Sequence, residues 1–206
     1  MIDLNIRGDL RKLERAFAGV AEKQLRFAWS QAINNVAKEV QKAERENMTK
    51  VLDKPTPFTL SGVSVRLSTK ASLTATVYVK DKTASYLAPY EVGGLNKLNS
   101  KALLKPIDQK VNQYGNLPRT AVKRLAAKKN VFVGKVKTKN GVVDGVWQRS
   151  KAQRGKQAGL KLLVKFDNAH VVKQHLDYRG VARRIVSARL KVEFAAAMQK
   201  AIATAR

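Results

Sequence analysis

The sequence predicts an α+β fold, in which an antiparallel sheet packs against a long N-terminal helix and a long C-terminal helix. Three observations carry this. Several short segments alternate strictly between apolar and polar residues, the mark of half-buried strands. Two long stretches, about 22–50 and 178–204, repeat apolar residues every three to four positions, as a packed helix does. Of the 206 residues, 44% are hydrophobic, enough to build a buried core. The expected organisation is a single domain over 1–206 with a basic excursion at about 95–165.

At the start, Ile2, Leu4 and Ile6 alternate with Asp3, Asn5 and Arg7, and Gly8 ends the strand. Asp9 stands where a helix N-cap would, followed by Leu10, Leu13 and Phe17 at helical spacing. The long helix that follows carries the stripe Leu25, Trp29, Ile33, Val36, Val40 and Ala43. Its outer face is read as Lys38, Glu39, Lys42, Glu44, Arg45 and Glu46. Pro55 and Pro57 break it, because proline has no N–H and restricts the residue before it. Val63, Val65 and Leu67, then Leu73, Ala75, Val77 and Val79, predict an antiparallel hairpin with one buried face. The segment from Tyr86 to Gly94, two tyrosines around Pro89 closed by Gly93-Gly94, reads as an ordered turn at the surface.

Residues 95–129 show little periodicity apart from a short helix at 121–129. Residues 130–136 and 142–149 predict a hairpin whose turn, Lys139-Asn140-Gly141, suits the positive φ values of a type I′ turn. Residues 150–159 read as a loop and 160–166 as a further strand. On the terminal helix, Val181, Ile185, Ala188, Val192 and Ala195 form one stripe; Val186, Leu190, Phe194, Met198 and Ile202 form a second. Two adjacent stripes predict a broad apolar face that meets a partner subunit.

Charge is the strongest compositional signal. The chain has 41 Lys and Arg against 15 Asp and Glu, a net +26, which opposes compaction and favours polyanionic partners. Between Lys101 and Lys165 there are 17 basic residues against two acids, Asp108 and Asp144. Such a cluster suits phosphates contacted without regard to base sequence. The expected contacts, to DNA or to an acidic partner, are Lys123, Arg124, Lys128, Lys129, Lys151, Arg154 and Lys156. The aromatic residues there, Tyr114, Phe132, Trp147 and Phe166, lie in strand patterns and are read as core rather than as base-stacking platforms.

Reactive chemistry is not apparent. Cysteine is absent, which excludes disulfides and Cys-based zinc sites and fits a reducing cytoplasm. The two histidines, His170 and His175, are five apart, off the i, i+3 and i, i+4 spacings that share a helix face. No phosphate-binding GxxxxGK[ST] loop, GxGxxG or GxSxG motif occurs. The expectation is therefore a protein that is not an enzyme and holds no cofactor or metal. No signal peptide and no apolar run long enough for a membrane span is evident.

The order of parts resembles the bacteriophage tail-completion proteins of the minor tail protein Z group, with their head–tail connector and neck relatives. The resemblance covers most of the chain. It rests on the opening strand with Gly8-Asp9-Leu10-Arg11-Lys12-Leu13 and the long Ala-rich helix. It rests further on Tyr86-Leu87-Ala88-Pro89-Tyr90-Glu91-Val92-Gly93 after the hairpin, on Gly145-Val146-Trp147-Gln148-Arg149 before the strand at 160–166, and on the Ala-rich terminal helix with Phe194 and Ile202. The resemblance implies a structural virion protein of the tail or neck, present in the host cytoplasm during assembly. It implies a homo-oligomeric ring, of six copies, that joins the tail to the DNA-filled head and has no catalytic residues. Its partners would be portal or connector and tail tube proteins and the end of the packaged DNA, with no membrane involved. Tyr86, Tyr90, Leu190, Phe194 and Met198 are the expected subunit-interface residues. The alternative is a free, sequence-non-specific nucleic-acid-binding protein, which shares the charge but needs no ring.

Overall fold

The computed structural model describes residues 3–7, 22–96, 102–151 and 158–203. In chain order its elements are β1 (Asp3–Arg7), α1 (Glu22–Val51), α2 (Pro57–Leu60), β2 (Val63–Arg66), β3 (Thr74–Val79), α3 (Asp81–Val92), β4 (Gly94–Leu95), β5 (Leu103–Pro106), α4 (Ala121–Ala126), β6 (Val131–Thr138), β7 (Gly141–Arg149), β8 (Leu160–Asp167), β9 (Val171–Val172) and α5 (Tyr178–Ala203). The fold is α+β, with antiparallel sheets and a long helix toward each end. The chain divides into two compact units, one formed by Met1–Gly94 with Val172–Arg206 and the other by Leu95–Val171. The basic excursion at 95–165 falls within the second unit, which has its own hydrophobic cluster. The predicted helix beginning at Asp9 and most of the loop at 150–159 lie outside the described residues.

The first unit is an antiparallel sheet of order β1-β3-β2 with α1 and α5 packed together and α1 against the strands. Strand β3 alternates as predicted, burying Ala75, Val77 and Val79. Helix α1 buries a stripe from Leu25 through Ile33 and Val40 to Met48, with Ala28, Ala32 and Ala37 filling the positions between. Trp29 meets Phe194 of α5 edge-on, ring centroids 4.8 Å apart. Polar residues of α1 also serve the chain running beside it. The Asn34 amide both donates to Ser68 O and accepts from Ser68 N, while Gln41 and Arg45 donate to Val63 O. Backbone groups in and after β2 that would otherwise be unpaired are thus satisfied.

Three expectations need correction here. Glu44 and Arg45, read as outer-face residues, turn inward. Glu44 is 0% exposed and Arg45 is half-buried. The inner stripe passes by Ala43 and continues from Val40 through Glu44 to Met48, in steps of four. The segment read as a turn is helix from Tyr86 to Val92, part of α3: Thr83, Ala84, Leu87 and Glu91 line its buried side. Pro89 sits within the last turn, where its missing N–H removes one bond only, and Gly93, at φ +76°, closes the helix by donating to Pro89 O. The broad apolar face expected of the two α5 stripes is buried only in part. Its buried line takes Tyr178, Val181 and Ala182, then Phe194, Ala197, Met198 and Ala201, while Val192 and Ile202 stay exposed.

The second unit is a four-stranded antiparallel sheet of order β5-β8-β7-β6. Helix α4 covers it, burying Ala121 and Leu125 near Val131, Val146, Leu163 and Val164. Strands β6 and β7 form the predicted hairpin, with Thr138 opposite Gly141. The turn is not type I′, because positive φ falls on Gly141 (+111°) and on neither Lys139 nor Asn140. Strand β5 was not anticipated. It is a four-residue edge strand ending at Pro106, where proline loses no ladder bond on the solvent side. Strands β4 and β9 pair as a separate two-stranded ribbon.

Candidate nucleic-acid interface

The candidate interface is built by α4 and the loop after β5. Helix α4 turns Ala121 and Leu125 onto the sheet, and the exposed Arg124, three residues on from Ala121, flanks that face, with Lys128 following just past the helix end. Opposite them, Ile107 N and Asp108 N both donate to Leu163 O and fix the start of the loop against β8. The loop then turns at Asn112, whose Oδ1 accepts from Tyr114 N and Asn116 N, with Gly115 at φ +75°. Between helix and loop lies a cavity of about 640 Å³ lined by Ile107, Asp108, Gln109, Lys110, Pro118, Ala121, Arg124, Leu125 and Lys128.

Its electrostatics are cationic. The lining acid, Asp108, forms an ion pair with Lys161, so its charge is already matched. Asp167 is engaged by Lys105 and Lys165, and the Lys165 hydrogen bond, chiefly, holds its carboxyl below the usual range. Asp144 lies across the ladder from Lys135. Among the described residues, no carboxylate is in ion-pair range of Lys110, Arg124 or Lys128. The lining also carries apolar surface, and Ile107 is 56% exposed.

Comparison with family models, curated proteins and solved structures gives no match to this chain.

Of the expected contact residues, Arg124 and Lys128 meet in this cleft. Lys123 and Lys129 are exposed beside it but do not line it, and Lys151 is exposed beyond the end of β7. Arg154 and Lys156 lie outside the described residues. Lys110 belongs to the cleft and was not singled out, because 95–129 has no periodicity to read. The run Asn112 to Asn116, with its Asx-type turn and Gly115, was the available signal that the chain doubles back there. Trp147 is buried, its Nε1 donating to Gly134 O, and Phe132 is covered by the Arg149 guanidinium at 4.7 Å. Phe166 packs on the core, and Tyr114 is half-buried.

The expected subunit-interface residues lie elsewhere than on an open surface. Phe194 and Met198 are 8% and 3% exposed and belong to the core of the first unit. There they pack in the cluster shared by α5 and α1. Leu190 packs partly buried on the same core, as do Tyr86 and Tyr90. The Tyr86 hydroxyl bonds Thr59 Oγ1 at 3.0 Å, and the Tyr90 ring meets His175 edge-on.

Among the described residues, no group of three or more His, Asp or Glu is arranged to hold a metal ion, and no helix is long and apolar enough to cross a membrane. Burial, chiefly, pushes the Glu44 carboxyl up to about 9, assisted by the charges of Glu91 and Asp177 and opposed by Arg184 and the Ala182 N–H. Shifted carboxyl groups mark catalytic sites when they open onto a cleft. Glu44 is sealed from solvent, so in this conformation it serves structure rather than substrate.

Proposed function

We propose that the chain is a non-enzymatic structural subunit of a bacteriophage tail, a tail-completion or neck protein that closes into a homo-oligomeric ring and joins the tail to the DNA-filled head. The observation that carries this reading is the segregation of charge. The unit Leu95–Val171 contains 18 basic and three acidic residues, and the acids lie with neighbouring lysines. The excess of cations suits a polyanion, the packaged DNA in this reading. The order of strand, long helix, hairpin, late strand pair and terminal helix that underlies the tail-completion resemblance supports the structural role. In a ring, the field of one unit is multiplied by the number of copies, which strengthens the hold on DNA without any base-specific contact.

Three measurements test this. Sedimentation at low concentration should give a closed oligomer. Duplex DNA should bind with an affinity that falls linearly on a log–log plot against salt. Antibody labelling of assembled particles should mark the tail or neck. A monomer that binds DNA tightly and labels no particle would replace the proposal with a free nucleic-acid-binding protein.

A further inference from the structure

The cleft beside α4 has two properties that a site for phosphate alone does not need. It is concave, and it sets exposed apolar surface beside its cations. Arg124, Lys128 and Lys110 supply charge from the helix and the facing loop, while Ile107 and Pro118 supply exposed apolar surface, backed by the buried Leu125. The volume, about 640 Å³, falls in the range of about 300–1,000 Å³ typical of small-ligand sites.

From this juxtaposition we infer that the cleft is a nucleotide site, with a phosphoester held by Arg124, Lys128 and Lys110 and a base laid on Ile107 and Pro118. The inference rests on the reading that this unit holds phosphate polyanions, and it specifies how. Duplex DNA presents phosphates on a convex surface and keeps its base faces stacked, so a concave cleft gains little from it. An unpaired nucleotide offers both an anion and an apolar face, and contact through that face tolerates any base. Charge selection follows from the same residues. Asp108 is paired with Lys161, so the phosphate meets cations without a free carboxylate among them. The nucleotide is either free or one residue of an unpaired strand.

The test uses the full chain and fluorescence anisotropy with fluorescein-labelled oligothymidylate and a duplex of equal length. Two charge-matched double variants are compared, Arg124→Ala with Lys128→Ala in the cleft, and Lys135→Ala with Lys137→Ala on β6. The cleft pair should weaken single-strand binding about tenfold more than the β6 pair does, while the two pairs weaken duplex binding alike. Ile107→Ser removes apolar surface with no change of charge at an exposed position. It should lower single-strand affinity and leave duplex affinity unchanged. Competition by free thymidine monophosphate beyond that of equimolar inorganic phosphate would assign a free nucleotide. Its failure, with the cleft variants still selective, would assign a nucleotide within a strand. Equal losses for both double variants on both DNAs would overturn the nucleotide site and leave the polyanion reading standing. No binding of either DNA by the unaltered chain at low salt would remove both.

Discussion

Glu91 caps helix α5 from 87 residues away: its Oε2 accepts the Tyr178 backbone N–H at 2.7 Å, and its Oε1 accepts from Arg179 N at 3.4 Å. Helix termini leave their first N–H groups without partners. Here a carboxylate from the end of α3 satisfies two of them. The same junction is held by Tyr90 O, which accepts from His175 N and Leu176 N, and by Asn47, which donates to Leu176 O at 2.6 Å. The start of α5 is therefore tied down by tertiary contacts.

Replacing Glu91 with alanine should accordingly cost about 1–3 kcal/mol of stability, the range for losing a capping acceptor or leaving a buried donor unpaired. Glu91→Gln, which keeps a carbonyl oxygen, should recover part of the loss. Urea denaturation of the three proteins at pH 7, followed by circular dichroism at a helical wavelength, checks both the size and the partial rescue.

Glu44 makes stability depend on pH in a direction opposite to that of an ion-paired carboxylate. Its side chain is buried within the core, neither oxygen has a hydrogen-bonding partner of good geometry, and its pKa is raised from 4.5 to about 9. In the unfolded chain the group loses its proton above about 4.5; in the folded chain it keeps the proton until about 9. Between those values the folded state binds more protons, so stability falls as pH rises, and below 4.5 the penalty disappears. Glu44→Gln, uncharged and of similar size, should abolish this slope. At pH 7 it should be more stable than the parent by on the order of 3 kcal/mol, from about 2.5 pH units at 1.36 kcal/mol each. Denaturation midpoints at pH 5, 7 and 8.5 for both proteins decide the matter. Parallel slopes would show that Glu44 is not the titrating group.

These two residues also mark where the sequence could be read and where it could not. The apolar stripes of α1 and β3 were legible because periodicity reports which face is buried, and the β6–β7 hairpin because Asn140-Gly141 punctuates it. Glu44 was illegible. A glutamate between Lys42 and Glu46 looks solvated, and only the inward drift of the stripe toward Met48 hints otherwise. Glu91 was read as part of a turn because Pro89 and Gly93-Gly94 outweighed the helical spacing of Thr83, Leu87 and Glu91. In the cleft, Arg124 and Lys128 were legible as a basic cluster on a short helix. Their meeting with Lys110 and Ile107 was not, since it depends on an edge strand without alternation and on backbone bonds from Ile107 and Asp108 to Leu163.

Gly145 is the position on which the sheet of the second unit depends most sharply. It lies on β7 opposite Gly134 and Lys165, next to the irregularity at Val146/Trp147. A Cβ there would run into Val164 O and the Leu162 side chain. The obstruction by Val164 is backbone and cannot swing aside, so relief requires β7 and β8 to separate. Trp147, two residues on, is buried and donates to Gly134 O, so it reports on the same place. Gly145→Ala should destabilise this unit by about 1–3 kcal/mol, the usual cost of overpacking. The measurement is thermal unfolding followed by Trp147 fluorescence in a Trp29→Phe background, where Trp147 is the remaining tryptophan. Gly134→Ala is the control. A Cβ at Gly134 would meet only Phe132, at 3.9 Å, an ordinary contact, so its effect should stay near the cost of a surface substitution, about 0.5 kcal/mol or less. Equal effects at the two glycines would show that the bulged register of β7 and β8 leaves more room at Gly145 than its neighbours imply.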